Sequence, residues 1–314
     1  MLLSIIIVSY NTKDLLKQCL DSIIKSLTDY PLIDNKQQTS SKRVTARDQA
    51  SSFSYEIIIV DNNSQDGTKE FLKEYQKTHP FIKTIFNKEN LGFAKAVNQG
   101  VKKSGGKYIL LLNSDINVLP GAIEKLISFA EQKKDVGVVA PKLLNADGTP
   151  QASCYHLPTI KRAIDEYWRG KRGAYEKYLP RGGNPVKVEA VVGAAMLIPR
   201  VVIDVVGLLD EKYFMYFEDL DYCQRIRKNG FSVYYLPSAR LIHHHGASGK
   251  GKPKKMNHYL VESSKKFNGA LKYYLISVII RLSRLTKIRF FLLLLVTALL
   301  TVICLRQWLF SLKK

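Results

Sequence analysis

Three carboxylates, Glu218, Asp219 and Asp221, fall within four residues of the stretch YFMYFEDLDYCQRIRKNG, residues 213–230. The residues before them, Phe214, Met215, Tyr216 and Phe217, are aromatic or apolar. Acids beside such a surface cost free energy unless their charges are used or paired. If Asp219 opens a helix, the helix N-terminus favours its charge. Its like-charged neighbours Glu218 and Asp221 raise pKa values. A carboxylate so placed can take a proton from a hydroxyl as a general base. The same acids can instead cap the helix or pair with Arg225, and the stretch alone does not choose.

Two other stretches carry chemistry. In LLLNSDINV, residues 110–118, an apolar run ends at Asp115. An acid at a strand end can hold a divalent cation that neutralises a diphosphate, and it can equally cap the next helix. Asn113 is a neutral companion, which suits Mg²⁺ or Mn²⁺ shared with substrate phosphates. In LIHHHGAS, residues 241–248, three histidines are adjacent. That is not a zinc spacing. On a continuing strand His243 and His245 share a face; solvated or core-capping histidines fit the same residues.

These groups need a frame. Ser4–Val8 reads as a buried strand, followed by a helix over Lys13–Leu27 that Asn11 or Thr12 could cap. Glu56–Val60 is a second strand that stops at Asp61, and a helix follows over Thr68–Lys77. Residues 81–87 form a third strand, 92–104 a helix, 107–115 a fourth strand, Pro120–Gln132 a helix and 136–143 a fifth strand. This alternation implies βαβ units and a mostly parallel sheet with helices on both faces. Ligands of such sheets bind outside the carboxyl ends of the strands. Here those ends carry Ser9-Tyr10-Asn11, Asp61-Asn62-Asn63 and Asn113-Ser114-Asp115. No GxGxxG follows the first strand and no GxxxxGK[ST] occurs, which disfavours a dehydrogenase-type dinucleotide fold and a P-loop.

The second half is less regular. Gln151–Pro185 reads as loops and short helices, and 187–200 as a strand region interrupted by Gly193. The acid cluster starts a helix with Leu220, Cys223 and Ile226 on one face, stopped at Gly230, and 231–237 is a strand. The polar stretch 34–54 lacks periodicity and is expected to be a surface insertion within a domain spanning 1–249.

The remaining 250–314 is a different material. The chain of 314 residues has a net charge of +21, and from Ala247 onward there are fourteen Lys or Arg against one acid, Glu262. Such a tail favours an anionic surface, membrane or nucleic acid. No nucleic-acid module is recognisable, and the basic residues flank apolar sequence. Residues 271–289 look like an interfacial helix, and 290–305 are uncharged for sixteen residues. A span needs roughly 17–25 residues, so crossing, re-entry, lying in the plane and a buried soluble helix all stay open. The four cysteines form no zinc pattern, and MLLSIIIVSYN lacks the basic start of a signal peptide.

Taken in order, SIIIVSYN, IIIVDNNSQDGT, NLGFAKAVNQG, LLLNSDINVLPGAIEKL, GAAMLIPR, GLLDEKYFMYFEDLDYCQRIRKNGF and ARLIHHHGAS resemble the family-two glycosyltransferases of GT-A fold, from Leu3 to about Ser248. Within that family the chain looks most like the rhamnosyltransferase-type branch. The resemblance implies a nucleotide-sugar site at Ser9, Tyr10, Asn11, Asp61, Asn63, Gly92, Asn98, Asn113, Ser114 and Asp115, with Asp61 on the pyrimidine base. It implies Mg²⁺ or Mn²⁺ held by Asp115 and His243, and Asp219 as the base. Gly193, Glu218, Asp221, Arg225 and His245 would line the sugar groove. The family's DxD is here Asn113-Ser114-Asp115, so the first acid is missing.

The implied reaction is inverting transfer of a sugar, rhamnose favoured, from a dTDP- or UDP-sugar to a hydroxyl of a glycan or lipid-linked saccharide. The implied setting is cell-surface polysaccharide synthesis at the cytoplasmic face of an anionic membrane. A hexosyl or N-acetylhexosaminyl donor, or a non-catalytic membrane-tethered nucleotide-sugar-binding protein, are the alternatives.

Overall fold

The first strand, β1 (Leu3–Ser9), is apolar on both faces because both faces are covered. Ile5 and Ile7 point to one core, Ile6 to the other. The computed structural model describes residues 1–29, 53–244 and 253–286. The proposed 34–54 insertion falls almost wholly outside them, as do His245 and the apolar run 290–305.

On one side of β1 lie β2 (Tyr55–Asp61) and β3 (Ile82–Phe86), and on the other β4 (Tyr108–Asn113), all parallel. The helices between them are α1 (Lys13–Asp29), α2 (Thr68–Thr78) and α3 (Phe93–Lys103). Leu16, Leu20 and Ile23 of α1 and Leu72 of α2 seal one face; Ala94, Val97 and Val101 of α3 seal the other. This is the parallel half expected from the alternation.

Beyond β4 the sheet is mixed. A three-residue strand, β5 (Ile116–Val118), precedes α4 (Ala122–Gln132) and β6 (Val136–Leu144). Helix α4 starts two residues later than expected, after Gly121 at φ 71, so Pro120 sits in the turn before it. The irregular segment holds β7 (Cys154–Tyr155), α5 (Ile160–Tyr167), β8 (Val186–Val188), β9 (Ala190–Val191) and β10 (Ala195–Pro199). Strand β10 returns antiparallel between β4 and β6.

Next come α6 (Arg200–Val206), α7 (Glu218–Lys228) and β11 (Ser232–His243). The sequence suggests a strand ending near Pro237, but β11 runs on through an irregularity between Leu236 and Arg240. That extension matters, because β11 then pairs antiparallel with β5, His243 opposite Ile116. Leu220, Cys223 and Ile226 of α7 are buried, as their spacing requires. Cys19, Cys154 and Cys223 are buried free thiols.

Helix α8 (Pro253–Asn268) follows, and a second helical stretch runs over 270–286. Among the described residues no helix is long and apolar enough to cross a membrane.

Candidate active site

The carboxyl ends of β1, β2 and β4 are level: Ser9 is opposite Asp61, and Val8 opposite Asn113. Asp61 is buried, and Oδ2 accepts from the Ser64 amide at 3.3 Å. Its Oδ1 has no hydrogen-bond partner among the described residues. Burial pushes its pKa up. A buried carboxylate oxygen left without a donor is a recognition point for a ligand N–H.

Its neighbours have other duties. Ser9 and Ser114 are joined through Thr12, with Oγ to Oγ1 distances of 3.0 and 2.9 Å, tying the ends of β1 and β4 together. Thr12 stands at the N-cap position, its carbonyl accepting from the Leu16 amide at 2.8 Å, but its hydroxyl faces the two serines, and the first helical amide, Lys13, donates to Asp66 at 2.9 Å. Asn11, at φ 55, accepts from the Gln65 amide at 2.7 Å and clamps the loop after β1 to the loop after β2. Asn63, at φ 68, accepts from Gln65 Nε2 at 3.1 Å. Tyr10 is half-buried beside them.

Asn62, a strand-end residue outside the expected ligand set, holds the next loop. Its Nδ2 donates to Asn90 and to the Gly92 carbonyl, and its Oδ1 accepts from Asn87 Nδ2 and the Leu91 amide. The cluster of amides in DNNS and NKENLG was the available signal. Asn98 differs from its expected role at the nucleotide-sugar. Its amide donates to Leu209 O at 2.9 Å and Glu211 at 3.0 Å and accepts from the Leu209 amide, so it braces the loop before the acid cluster.

Asp115 lies just past β4 and is buried. The β5–β11 pairing brings His243 to it, with Nε2 3.4 Å from Oδ1, and the His244 amide donates to the Asp115 carbonyl at 3.0 Å. Gln151 Oε1 sits 2.7 Å from His243 Nδ1. Among the described residues no three His, Cys, Asp or Glu side chains converge as a metal site. One carboxylate and one imidazole fit a hard cation whose other positions are filled by water and phosphate oxygens.

The acid cluster stands on the same rim. The Asn113 amide donates to Ala194 O at 2.9 Å, and the adjacent Gly193 amide donates to Asp219 Oδ2 at 2.9 Å. Gly193 thus seats the carboxylate: a Cβ there would lie 3.3 Å from Asp219 Cβ. Tyr216 and Phe217, at φ 70 and 67, turn the chain sharply into α7. Left-handed conformations at aromatic residues are costly and mark positions the surroundings over-determine.

Burial pushes the Asp219 carboxyl up, against backbone N–H groups that favour its charge. Glu218 is pushed well above the carboxylate range, first by burial and then by the Asp219 charge, and its Oε2 has no partner among the described residues. Lys177 lies on the Asp219 side, its own pKa lowered by burial. Asp221 belongs to a different unit. Arg225 Nε donates to it at 2.8 Å, and the rest of the guanidinium donates to Val206 O and Leu208 O. Arg225 therefore ties the preceding loop to α7, its guanidinium bonded to Asp221 and these two carbonyls rather than to Asp219.

Helix α8 braces this loop from outside, a contact the sequence did not announce. Tyr259 stacks on Phe214 at 4.4 Å, Ser263 Oγ donates to Met215 O at 2.8 Å, and Lys266 donates to Lys212 O at 2.7 Å. The two halves also meet directly, where the Phe93 amide donates to Phe214 O at 2.7 Å. Gly92 is required there: its φ is 84, and a Cβ would fall 2.5 Å from that same oxygen.

A family model described as Glycosyl transferase family 2 matches residues 4–196. N-acetylglucosaminyl-diphospho-decaprenol L-rhamnosyltransferase of Mycobacterium tuberculosis is 28% identical over 207 residues, 60% of this chain and 66% of that protein. The dTDP-rhamnosyl transferase RfbF of Shigella flexneri is 25% identical over 191 residues, 60% of this chain and 59% of that one. The chain thus spans just under two thirds of the length of these relatives. Among solved structures, GalNAc-T7 with UDP, GalNAc and Mn²⁺ gives a TM-score of 0.58 at 18% identity, covering 80% of this chain and 45% of that one. Mannosyltransferase PcManGT of Pyrobaculum calidifontis, with GDP-Man and Mn²⁺, gives 0.53 at 15%, covering 88% and 64%. That likeness is one of fold, and it is the GT-A architecture the motif order implied.

Proposed function

Because the chain belongs to glycosyl transferase family 2, we propose that it moves a sugar from a nucleotide diphosphate donor to a hydroxyl of a saccharide acceptor, with inversion at the anomeric carbon. The observation that carries this is the single rim formed by Asp61, Asp115 and Asp219. It is continuous through the Asn113–Ala194 and Gly193–Asp219 hydrogen bonds.

Asp61 Oδ1 accepts from an N–H of the pyrimidine base. Asp115 and His243 would hold Mg²⁺ or Mn²⁺ near the diphosphate, where a bound cation supplies stabilisation of the leaving charge. Asp219 takes the proton of the acceptor hydroxyl. The new C–O bond forms on the face opposite the breaking C–O bond to the diphosphate, so configuration inverts. The Gly193 and Leu220 amides hold one Asp219 oxygen each, at 2.9 and 2.8 Å, fixing the carboxylate's direction. A base with a raised pKa binds the transferred proton better than an ordinary carboxylate.

The rhamnosyl reading, with a dTDP- or UDP-linked donor and a lipid-linked or glycan acceptor of cell-surface polysaccharide, is supported by what the relatives are called. A hexosyl or N-acetylhexosaminyl donor is the alternative. A membrane setting is supported by the stretch 270–286. Ile276 and Ser283 face the protein, while Leu271, Tyr274, Leu275, Val278, Leu282 and Leu285 are exposed. At 3.6 residues per turn these six share one stripe, flanked by Lys272, Arg281 and Arg284. The sequence then continues through Lys287 and Arg289 into sixteen uncharged residues. Apolar stripe plus basic flanks suit the surface of an anionic bilayer, here at the cytoplasmic face.

The test is turnover of dTDP- and UDP-sugars by the full chain in anionic lipid with Mg²⁺ or Mn²⁺, with the anomeric configuration of the product read by NMR. Nucleotide diphosphate release with an inverted product is expected. A retained configuration, or donor binding with no turnover on any saccharide acceptor, contradicts the reading.

A further inference from the structure

The orientation of His243 is set from a distance, by a directional chain of hydrogen bonds that starts at a turn. Residues 145–149, NADGT, close a turn in which the Asn145 amide donates to Thr149 O at 2.8 Å. Inside it, Asp147 Oδ1 accepts from the Thr149 amide at 2.9 Å and the Thr149 hydroxyl at 2.6 Å. Those bonds hold the Asp147 carboxyl below its ordinary range, so it is ionised and can only accept.

The direction of each later bond follows. A hydroxyl has one hydrogen, and Thr149 has given its own to Asp147. At 2.9 Å from Asn145 it must therefore accept, which assigns Nδ2 of Asn145 to that side. Asn145 Oδ1 then faces Gln151 and accepts from Nε2 at 2.8 Å. The same Nε2 faces a second acceptor, the His243 carbonyl, at 3.5 Å. Gln151 Oε1 is left to face His243 Nδ1 at 2.7 Å. An amide oxygen cannot donate, so Nδ1 must carry the hydrogen.

We propose that Gln151 is a positioning residue: the chain Asp147–Thr149–Asn145–Gln151 locks neutral His243 in the Nδ1–H tautomer, so that the Nε2 lone pair points toward Asp115. The opposite tautomer would place a hydrogen on Nε2, 3.4 Å from Asp115 Oδ1, and block a shared cation. Outer-shell partners of this kind fix both the ring angle and the basicity of a ligating imidazole. The tautomer itself does not depend on the proposed reaction; its consequence for the metal rests on that reading.

The decisive measurement is long-range ¹H–¹⁵N NMR of the full chain with ¹⁵N-histidine, metal-free, at about pH 9, well above the ordinary imidazole range. His243 is assigned by the signals lost in His243→Gln. Expected is the Nδ1–H pattern in wild type and in Gln151→Glu, whose carboxylate still accepts, and its loss or mixing in Gln151→Met. Mn²⁺ binding in the presence of UDP, read by electron paramagnetic resonance, is expected to weaken about 10–100-fold in Gln151→Met and to hold in Gln151→Glu. An Nε2–H pattern in wild type, or a Gln151→Met protein with the wild-type tautomer, overturns the proposal. If the tautomers behave as stated but wild type binds no Mn²⁺, the metal reading falls and the orientation of His243 stands.

Discussion

The donor edge and the acid loop are built by opposite means. Along the donor edge, Asp61 ends β2 and Asp115 lies just past β4, the two parallel strands that flank β1, and the level ends of the three bring their polar groups to one edge. The acid loop is assembled from pieces far apart in sequence: Gly193 before β10, the left-handed Tyr216 and Phe217, and the bracing face of α8. Burial pushes its Glu218 and Asp219 carboxyls up. A binding site needs only the ends of a regular sheet. A base needs a low-dielectric seat, and that seat is made by tertiary packing and backbone strain.

If the halves divide labour in this way, substitutions should separate them. The largest effect belongs to Asp219→Asn. Turnover at saturating donor is expected to fall about 10²–10⁴-fold, with donor affinity, read by calorimetry, unchanged. Asp61→Asn should do the reverse. Losing a hydrogen bond to a charged group, worth about 1.5–3 kcal/mol, should weaken donor binding about 10–100-fold and leave the rate at saturation near wild type. Equal losses in both quantities from either variant would erase the distinction.

Gly92→Ala attacks the seam. The residue combines φ 84 with ψ 171, a region open essentially to glycine alone and costing other residues about 1–3 kcal/mol, and the new Cβ meets Phe214 O. A lower midpoint of thermal unfolding is expected, with both donor affinity and turnover reduced. A smaller effect is expected from Glu218→Gln. A carboxyl raised in the folded state keeps its proton while the unfolded chain loses it, so its burial destabilises increasingly as pH rises above the unfolded value. Stability curves of the variant and wild type should therefore coincide in acid and separate toward neutral pH, the variant being more stable.

The same contrast explains what could be read in advance. The donor edge is local: an apolar run with an acid at its end is visible residue by residue, and Asp61 and Asp115 stand where that pattern puts them. His243 was identifiable as a candidate, but its meeting with Asp115 depends on three residues of β5 and on β11 continuing past Pro237, which is long-range register. Asn98 looked like a ligand contact in its motif, yet its amide has a complete set of partners in Leu209 and Glu211. Gln151 and Ser263 gave no sign at all, and Asn62 showed only as one amide in a cluster at a strand end. Each is an ordinary polar residue whose importance comes from a partner at least 25 positions away.

The rate of nucleotide diphosphate release against pH, at saturating donor, in wild type and Glu218→Gln, tests most directly whether Asp219 is the base. Because burial, and then the Asp219 charge, push the Glu218 carboxyl well above its ordinary range, Asp219 ionises first. Activity should rise with pH through a limb displaced above the ordinary carboxylate range, at the same position in both proteins. A limb at the ordinary carboxylate value, or one that moves or vanishes in Glu218→Gln, would contradict the assignment and transfer the role to Glu218 or another group.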